Sequence, residues 1–219
     1  MEYADTVVRA VRLTVRNPFA VVLVSVATTV SVLPLLTGAL LAGFFGVLVG
    51  LWTTSMMLGF VAVGCARIVT VVYEREVSLG TSYFWEGIRS GTTMAPVVGI
   101  GTFLVALVAL LFALNPFRGI LGLSITLIGV YVLLAWYVFA TFALAMWADS
   151  DRPDDVRSSF ADGGKLVLEH PVAAVWLLVQ TIGWTLLSVP LIIAPVVLLP
   201  GFAQLVSVSI VRRAASTDG

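Results

Sequence analysis

The stretch NPFAVVLVSVATTVSVLPLLTGALLAGFFGVLVGLWTTSMMLGFVAVGCA, from Asn17 to Ala66, contains no aspartate, glutamate, lysine or arginine. A helix that crosses the hydrocarbon core of a bilayer needs about 20 consecutive apolar residues. This stretch is therefore long enough for two membrane-spanning helices. Pro34 and Gly38 predict the turn between them at residues 34–38, because proline removes an amide donor and glycine tolerates turn geometry.

Three more stretches without charge follow, at Ser90–Phe117, Gly119–Ala148 and His170–Val211. Together the four stretches predict an all-α fold: a polytopic transmembrane helical bundle that forms one integral membrane domain over residues 1–219. We expect six spans in three hairpins, at about residues 18–34, 38–66, 94–114, 119–147, 171–189 and 191–211. The prolines between the last two spans leave open whether the segment Pro190–Pro200 is a turn, a kink or a re-entrant piece.

Composition supports the membrane assignment independently. Hydrophobic residues make up 60% of the 219 positions and charged residues only 11%, whereas a soluble domain has about 25% charged residues. The lipid bilayer is therefore the expected partner of most of the apolar surface. The net charge of zero gives no indication of nucleic-acid binding.

The basic residues predict the orientation in the membrane. Of the twelve lysines and arginines, only Arg118 lies in a loop between spans three and four, and the other eleven lie on the opposite side. Positively charged loops stay in the cytoplasm. We therefore predict a multi-pass protein of the cell membrane with both termini in the cytoplasm.

A short amphipathic segment that ends at a proline precedes each hairpin, and two of these segments share the pattern Ser-x-Phe-x-acid-Gly-x-base. The serine can cap a helix, the aromatic ring can anchor at the interface, and the base can remain among the headgroups. Two interpretations stay open: interfacial helices that steer the hairpins into the membrane, or a docking surface for a cytoplasmic protein. The residues that would contact such a partner are Phe84, Glu86, Arg89, Phe160, Asp162 and Lys165.

Two sets of residues inside the predicted spans stand out. Small residues recur every four positions at Gly38, Ala42, Gly46 and Gly50, a spacing that lets helices approach closely in lipid. They indicate either a packing seam within the chain or the face of a homo-oligomer. Gln180 and Gln204 are the most polar side chains in the last two spans, where they would hydrogen-bond to each other or line a polar cavity.

The sequence shows little catalytic chemistry. None of the predicted spans has a charged residue near its centre, where such groups mark ion paths and active sites. His170 is the only histidine, and we find no phosphate-binding glycine loop and no pairing of a nucleophile with a base. We therefore predict a non-enzymatic protein with no metal site and no cofactor.

The segment Leu33-Pro34-Leu35-Leu36-Thr37-Gly38-Ala39 resembles the turn after span one in the YesL-like family of prokaryotic membrane proteins, and Phe84–Arg89 is similar to that family's aromatic cytoplasmic segment. The resemblance implies a small helical membrane protein of unassigned activity, often encoded beside carbohydrate uptake systems, and supplies no catalytic residues. We predict an accessory or assembly component of a membrane complex. The alternative is the membrane subunit of a small-solute transporter of the ABC or energy-coupling-factor type.

Overall fold

The computed structural model describes residues 4–75, 80–117, 119–149, 155–188 and 199–216. Over these ranges the chain forms nine α-helices and no strand, which confirms the predicted all-α class. The helices are α1 (Ala4–Arg16), α2 (Pro18–Leu41), α3 (Gly43–Arg75), α4 (Ser82–Ser90), α5 (Met94–Ala113), α6 (Gly119–Asp149), α7 (Val156–Glu169), α8 (Pro171–Ser188) and α9 (Leu199–Ser216).

Four of these helices, α2, α3, α5 and α6, are long and apolar enough to cross a membrane. The pair α7 and α8 also passes this test when taken together, but the two helices meet at an angle of 95° across His170. The described part of the chain thus contains four helices that can span a bilayer, or five if the bent pair counts as one span. Whether Pro190–Pro200 is a turn, a kink or a re-entrant piece concerns residues that lie largely outside the described ranges.

The turn between the first two long helices lies at Ala42–Gly43, rather than at residues 34–38. Helix α2 continues through Pro34 to Leu41, and Gly43 adopts a φ of 56°, which side chains disfavour. Proline is tolerated within a membrane helix where a neighbour satisfies the backbone groups that it frees. Here the amide of Leu35 donates to Thr54 Oγ1 on α3, at 3.1 Å. The spans predicted at 18–34 and 38–66 are therefore the longer helices α2 and α3.

The nine helices form three similar units, α1–α3, α4–α6 and α7–α9. In each unit a short helix precedes two helices that pack against each other, and the last helices of the units, α3, α6 and α9, also contact one another. Each short helix packs against the last helix of another unit: α4 against α3, α7 against α6, and α1 against α9. The units therefore close into a ring, with α3, α6 and α9 at its centre. We call the end of the bundle that carries α1, α4 and α7 the amphipathic end.

A small residue marks the point where each short helix crosses its neighbour. Gly87 of α4 and Gly163 of α7 lie so close to the next helix that an added Cβ would be 2.8 Å from the oxygen of Val63 and 2.7 Å from the nitrogen of Ala143, respectively. Ala10, fully buried, is the small residue of α1 at a similar distance before its proline. The three residues precede Pro18, Pro96 and Pro171 by eight, nine and eight positions. The repeated pattern in the sequence thus corresponds to a repeated helix crossing.

Candidate functional site

The ends of the three central helices are joined by ion pairs at the amphipathic end. Arg212 of α9 contacts Glu74 of α3 at 2.8 Å and Asp149 of α6 at 2.5 Å. The side chain of Arg212 is 18% exposed, so it is shielded more than either carboxylate. Arg9 of α1 donates to the hydroxyl of Tyr73 at 3.0 Å, and its guanidinium lies 4.0 Å from the centre of that ring. These contacts fix α1, α3, α6 and α9 to one another.

Helix α4 is held to the bundle by residues that the sequence suggested for partner contact. Phe84 is only 2% exposed and packs against Gly64 of α3. Glu86 forms an ion pair with Arg67 at 3.1 Å, and Arg67 also donates to the carbonyl oxygen of Ala148 at 3.1 Å. Of the three candidates on α4, Glu86 and Arg89 are both exposed, Glu86 while paired with Arg67, and only Phe84 is buried.

Helix α7 shows the same division between an inward aromatic residue and an outward charged one. Phe160 stacks on Trp136 with ring centroids 6.3 Å apart. Lys165 lies 3.7 Å from Glu169, one turn along the same helix, and Asp162 is exposed. The two aromatic residues of the repeated pattern, Phe84 and Phe160, therefore support the interior of the bundle.

The small residues Gly38, Ala42, Gly46 and Gly50 are distributed over two helices. Gly38 lies on α2, Ala42 at the turn, and Gly46 and Gly50 on α3. Gly38 and Gly46 face each other so closely that a Cβ on either would overlap the carbonyl oxygen of the other. A Cβ on Gly50 would lie 2.5 Å from the carbonyl oxygen of Pro34. The series brings α2 against α3 within one chain, and the alternative of a homo-oligomer face stays a prediction.

A cavity of about 440 Å³ lies between the three units. Its volume falls within the range of small-molecule sites in proteins. Helix α6 supplies the longest wall, and α2, α3, α5, α8 and α9 supply the rest. The lining residues with polar atoms are Thr28, Cys65, Thr102, Trp136, Tyr137, Thr141, Thr181 and Gln204.

Only one of the two predicted glutamines lines this cavity. Gln204 of α9 lines it and is half-buried, whereas Gln180 of α8 precedes the lining residues Thr181 and Ile182 and lies outside the wall. The structure therefore places one of the two predicted intramembrane polar residues at the cavity. The exposed lining residues Leu133 of α6 and Ile182 of α8 bring the cavity to the bundle surface between these helices, as far as the described residues extend.

Of the repeated aromatic residues, Phe160 contacts the cavity wall and Phe84 contacts a residue next to it. Trp136, on which Phe160 stacks, is a lining residue whose indole nitrogen donates to Thr102 at 3.0 Å. Phe84 packs against Gly64, the neighbour of the lining residue Cys65. Sequence reasoning missed the cavity because its four threonines come from four different helices and each, taken alone, is ordinary in a membrane helix.

No group of three or more histidine, cysteine, aspartate or glutamate side chains suited to a metal ion occurs in the described part of the chain. No protein-family model, curated protein or solved structure matches this sequence. The resemblance to the YesL-like family therefore stays a prediction.

Proposed function

We propose that this protein is a non-enzymatic cell-membrane protein with six spans, arranged as three hairpins with both termini in the cytoplasm, and that its cavity binds a small solute. In this view it is the membrane subunit of a small-solute transporter. The central position of the cavity, between three repeated units, carries the proposal. Many transporters are built from structural repeats and bind their substrates near the middle of the membrane, where the repeats meet.

The position of the cavity along the helices supports this assignment. The lining residues of α3 run from Leu58 to Cys65 and those of α6 from Leu133 to Leu144, within the apolar parts of both helices. Towards the amphipathic end, Arg67 and Arg212 join the central helices by polar contacts. A binding site at mid-membrane with a closed cytoplasmic end is the arrangement that a transport protein has in one of its states.

The proposed topology is supported by the basic residues at the amphipathic end of the molecule. Helices α1, α4 and α7 carry basic residues, and each packs against one of the three central helices. This arrangement agrees with the division of eleven basic residues on one side and one on the other. With the cytoplasm at this end, α8 and α9 belong to the fifth and sixth proposed spans.

An accessory or assembly role remains the competing proposal. It places the functional surface on α4 and α7, where Arg89 and Asp162 are exposed. That role requires a protein partner and no ligand in the cavity. The two proposals therefore differ in what should accompany the protein when it is extracted from its membrane.

The test is extraction of the protein in native nanodiscs, followed by mass spectrometry of the small molecules that it retains. We expect about one solute per protein in the wild type and its loss in Ala62→Phe, which fills the cavity. Ala113→Phe, an exposed position at the far end of α5, is the control and should retain the solute. If the wild type and Ala62→Phe hold the same small molecules, the cavity is not a binding site. If another protein co-purifies with the wild type and is lost from the double variant Arg89→Ala, Asp162→Ala, the accessory role is favoured.

A further inference from the structure

We infer that the cavity is built for an uncharged amphiphile with an apolar body and a hydroxyl head, which enters from the lipid. This inference rests on the proposed function and specifies the class of ligand. It follows from three features of the cavity: the charge of its wall, the direction of its hydrogen bonds and the place where it opens.

The described residues that line the cavity include no aspartate, glutamate, lysine, arginine or histidine. An ion transferred into such a wall would lose its hydration without gaining a partner of opposite charge, which is costly at this depth. Most of the wall consists of leucine, valine, alanine and isoleucine side chains. The wall therefore favours a neutral, largely apolar molecule.

Three of the threonine hydroxyl groups in the wall already donate their protons to the backbone. Thr28 donates to the carbonyl oxygen of Val24 at 2.8 Å, and Thr141 donates to that of Tyr137 at 2.7 Å. A threonine hydroxyl has one proton and two lone pairs. Thr28 and Thr141 therefore act as hydrogen-bond acceptors toward the cavity, and a ligand that pairs with them must carry a donor.

The contact between Tyr137 and Thr181 has the same direction. Thr181 donates to the carbonyl oxygen of Leu177 at 2.9 Å, so the 3.2 Å contact between the two hydroxyl oxygens uses the proton of Tyr137. Thr102 likewise accepts from the indole of Trp136. The two aromatic donors of the wall, the Tyr137 hydroxyl and the Trp136 indole, therefore already bond to other residues of the wall.

Gln204 supplies the complementary group. Its amide carries two donor protons and one acceptor oxygen, and the described residues that line the cavity offer no other primary amide. A hydroxyl head can donate to a threonine oxygen and accept from the amide of Gln204 at the same time. An ether of the same size can only accept, and a quaternary ammonium head can do neither.

The opening between α6 and α8 gives such a molecule its route. Leu133 and Ile182 line the cavity and are also 38% and 45% exposed, on helices that the apolar surface of the protein places among lipid tails. An amphiphile dissolved in the bilayer can therefore reach the cavity without crossing water. Its apolar body would remain in contact with the alkyl side chains at this opening.

The experiment uses photoactivatable twelve-carbon probes with the protein in nanodiscs. Three heads are compared on the same chain: dodecanol, dodecyl methyl ether and dodecyltrimethylammonium. We expect dodecanol to label peptides of α6 and α9 in a saturable manner, with competition by unlabelled dodecanol. The ether, which can accept from Gln204 but cannot donate to a threonine, should show saturable labelling about tenfold weaker than that of dodecanol, and the cation should label only lipid-facing residues, without saturation. Gln204→Leu should weaken the saturable labelling by about tenfold, the loss expected for one buried hydrogen bond, whereas Gln180→Leu, the same change on α8, should leave it unaltered.

Equal saturable labelling by the ether or by the cation would overturn the inference about the hydroxyl head and leave the cavity as a binding site. Saturable labelling by dodecanol that Gln204→Leu leaves unchanged would overturn the role of the amide. If native nanodiscs hold a charged solute that Ala62→Phe loses, the proposed function stands and the ligand class is wrong. If neither experiment finds a saturable ligand, both proposals fail.

Discussion

Gly50 brings the backbone of α3 against that of α2, since an added Cβ would lie 2.5 Å from the carbonyl oxygen of Pro34 and 2.8 Å from the Cα of Leu35. The neighbouring hydrogen bond from the Leu35 amide to Thr54 needs this short separation. A single hydrogen atom in place of a side chain thus allows α2 to continue past its proline. At the scale of residues, the close contact that Gly50 permits also brings up Thr54, the acceptor for the amide that Pro34 frees.

We predict that Gly50→Ala lowers stability by about 1–3 kcal/mol, the usual cost of overpacking a close contact. Gly183→Ala, where an added Cβ would meet nothing within 4 Å, is the matched control. There the substitution should be neutral or stabilise the protein by up to about 1 kcal/mol, because alanine favours helix. Thermal unfolding of both variants in the same detergent measures the difference. Equal unfolding temperatures would contradict the proposed importance of this contact.

At the scale of elements, α4 and α7 are structural parts of the bundle as well as boundaries of the membrane segments. Asp155 caps α7 by accepting a hydrogen bond from the amide of Ser158 at 3.0 Å. The helix then crosses α6 at Gly163 and places Phe160 on Trp136. A glycine at the crossing lets the aromatic residue reach the cavity wall.

We expect Gly163→Val to detach α7 from α6, because the added side chain would enter the space of the Ala143 backbone. Ala161→Val introduces the same side chain two positions earlier, at an exposed site, and should have little effect. Limited proteolysis at α7 and the unfolding temperature report the outcome. We expect faster cleavage and a loss of about 1–3 kcal/mol for Gly163→Val alone. Similar behaviour of the two variants would show that the crossing is not close.

At the scale of the whole molecule, three units close into a ring because α1 packs against α9, at opposite ends of the chain. Arg212 then joins Glu74 and Asp149, which belong to the other two units. The cavity lies among the units, so it exists only when all three are assembled.

The topology can be tested with a Cys65→Ser protein that carries one new cysteine. Phe117→Cys lies in the turn between α5 and α6 and Ala161→Cys on α7, and both positions are exposed. An impermeant maleimide added to intact cells should label Phe117→Cys and leave Ala161→Cys unlabelled until the cells are opened. The reverse labelling would show that the orientation is the opposite of the proposed one. Labelling at both sites in intact cells would show that the α5–α6 turn and α7 do not lie on opposite sides of the membrane.

The sequence by itself determined the class of the fold and the approximate place of most long helices. Charge-free stretches report where the chain can lie in lipid, because the cost of burying a charge acts on each residue separately. The bounds of α5 and α6 were therefore close to the predicted 94–114 and 119–147. The same local reasoning placed the first turn at Pro34, because it could not include Thr54, the residue on the facing helix that accepts the freed amide.

Only the tertiary structure decided which polar residues meet. Gln180 and Gln204 are equivalent in sequence, since each is a lone amide in an apolar helix, and the rotation of α8 and α9 puts only Gln204 at the cavity. Phe84 and Glu86 suit a solvated amphipathic helix, and the crossing at Gly87 turns them toward α3 instead. The physical reason is that hydropathy is a sum over neighbours along the chain, whereas a cavity is formed by side chains whose proximity depends on how distant helices pack.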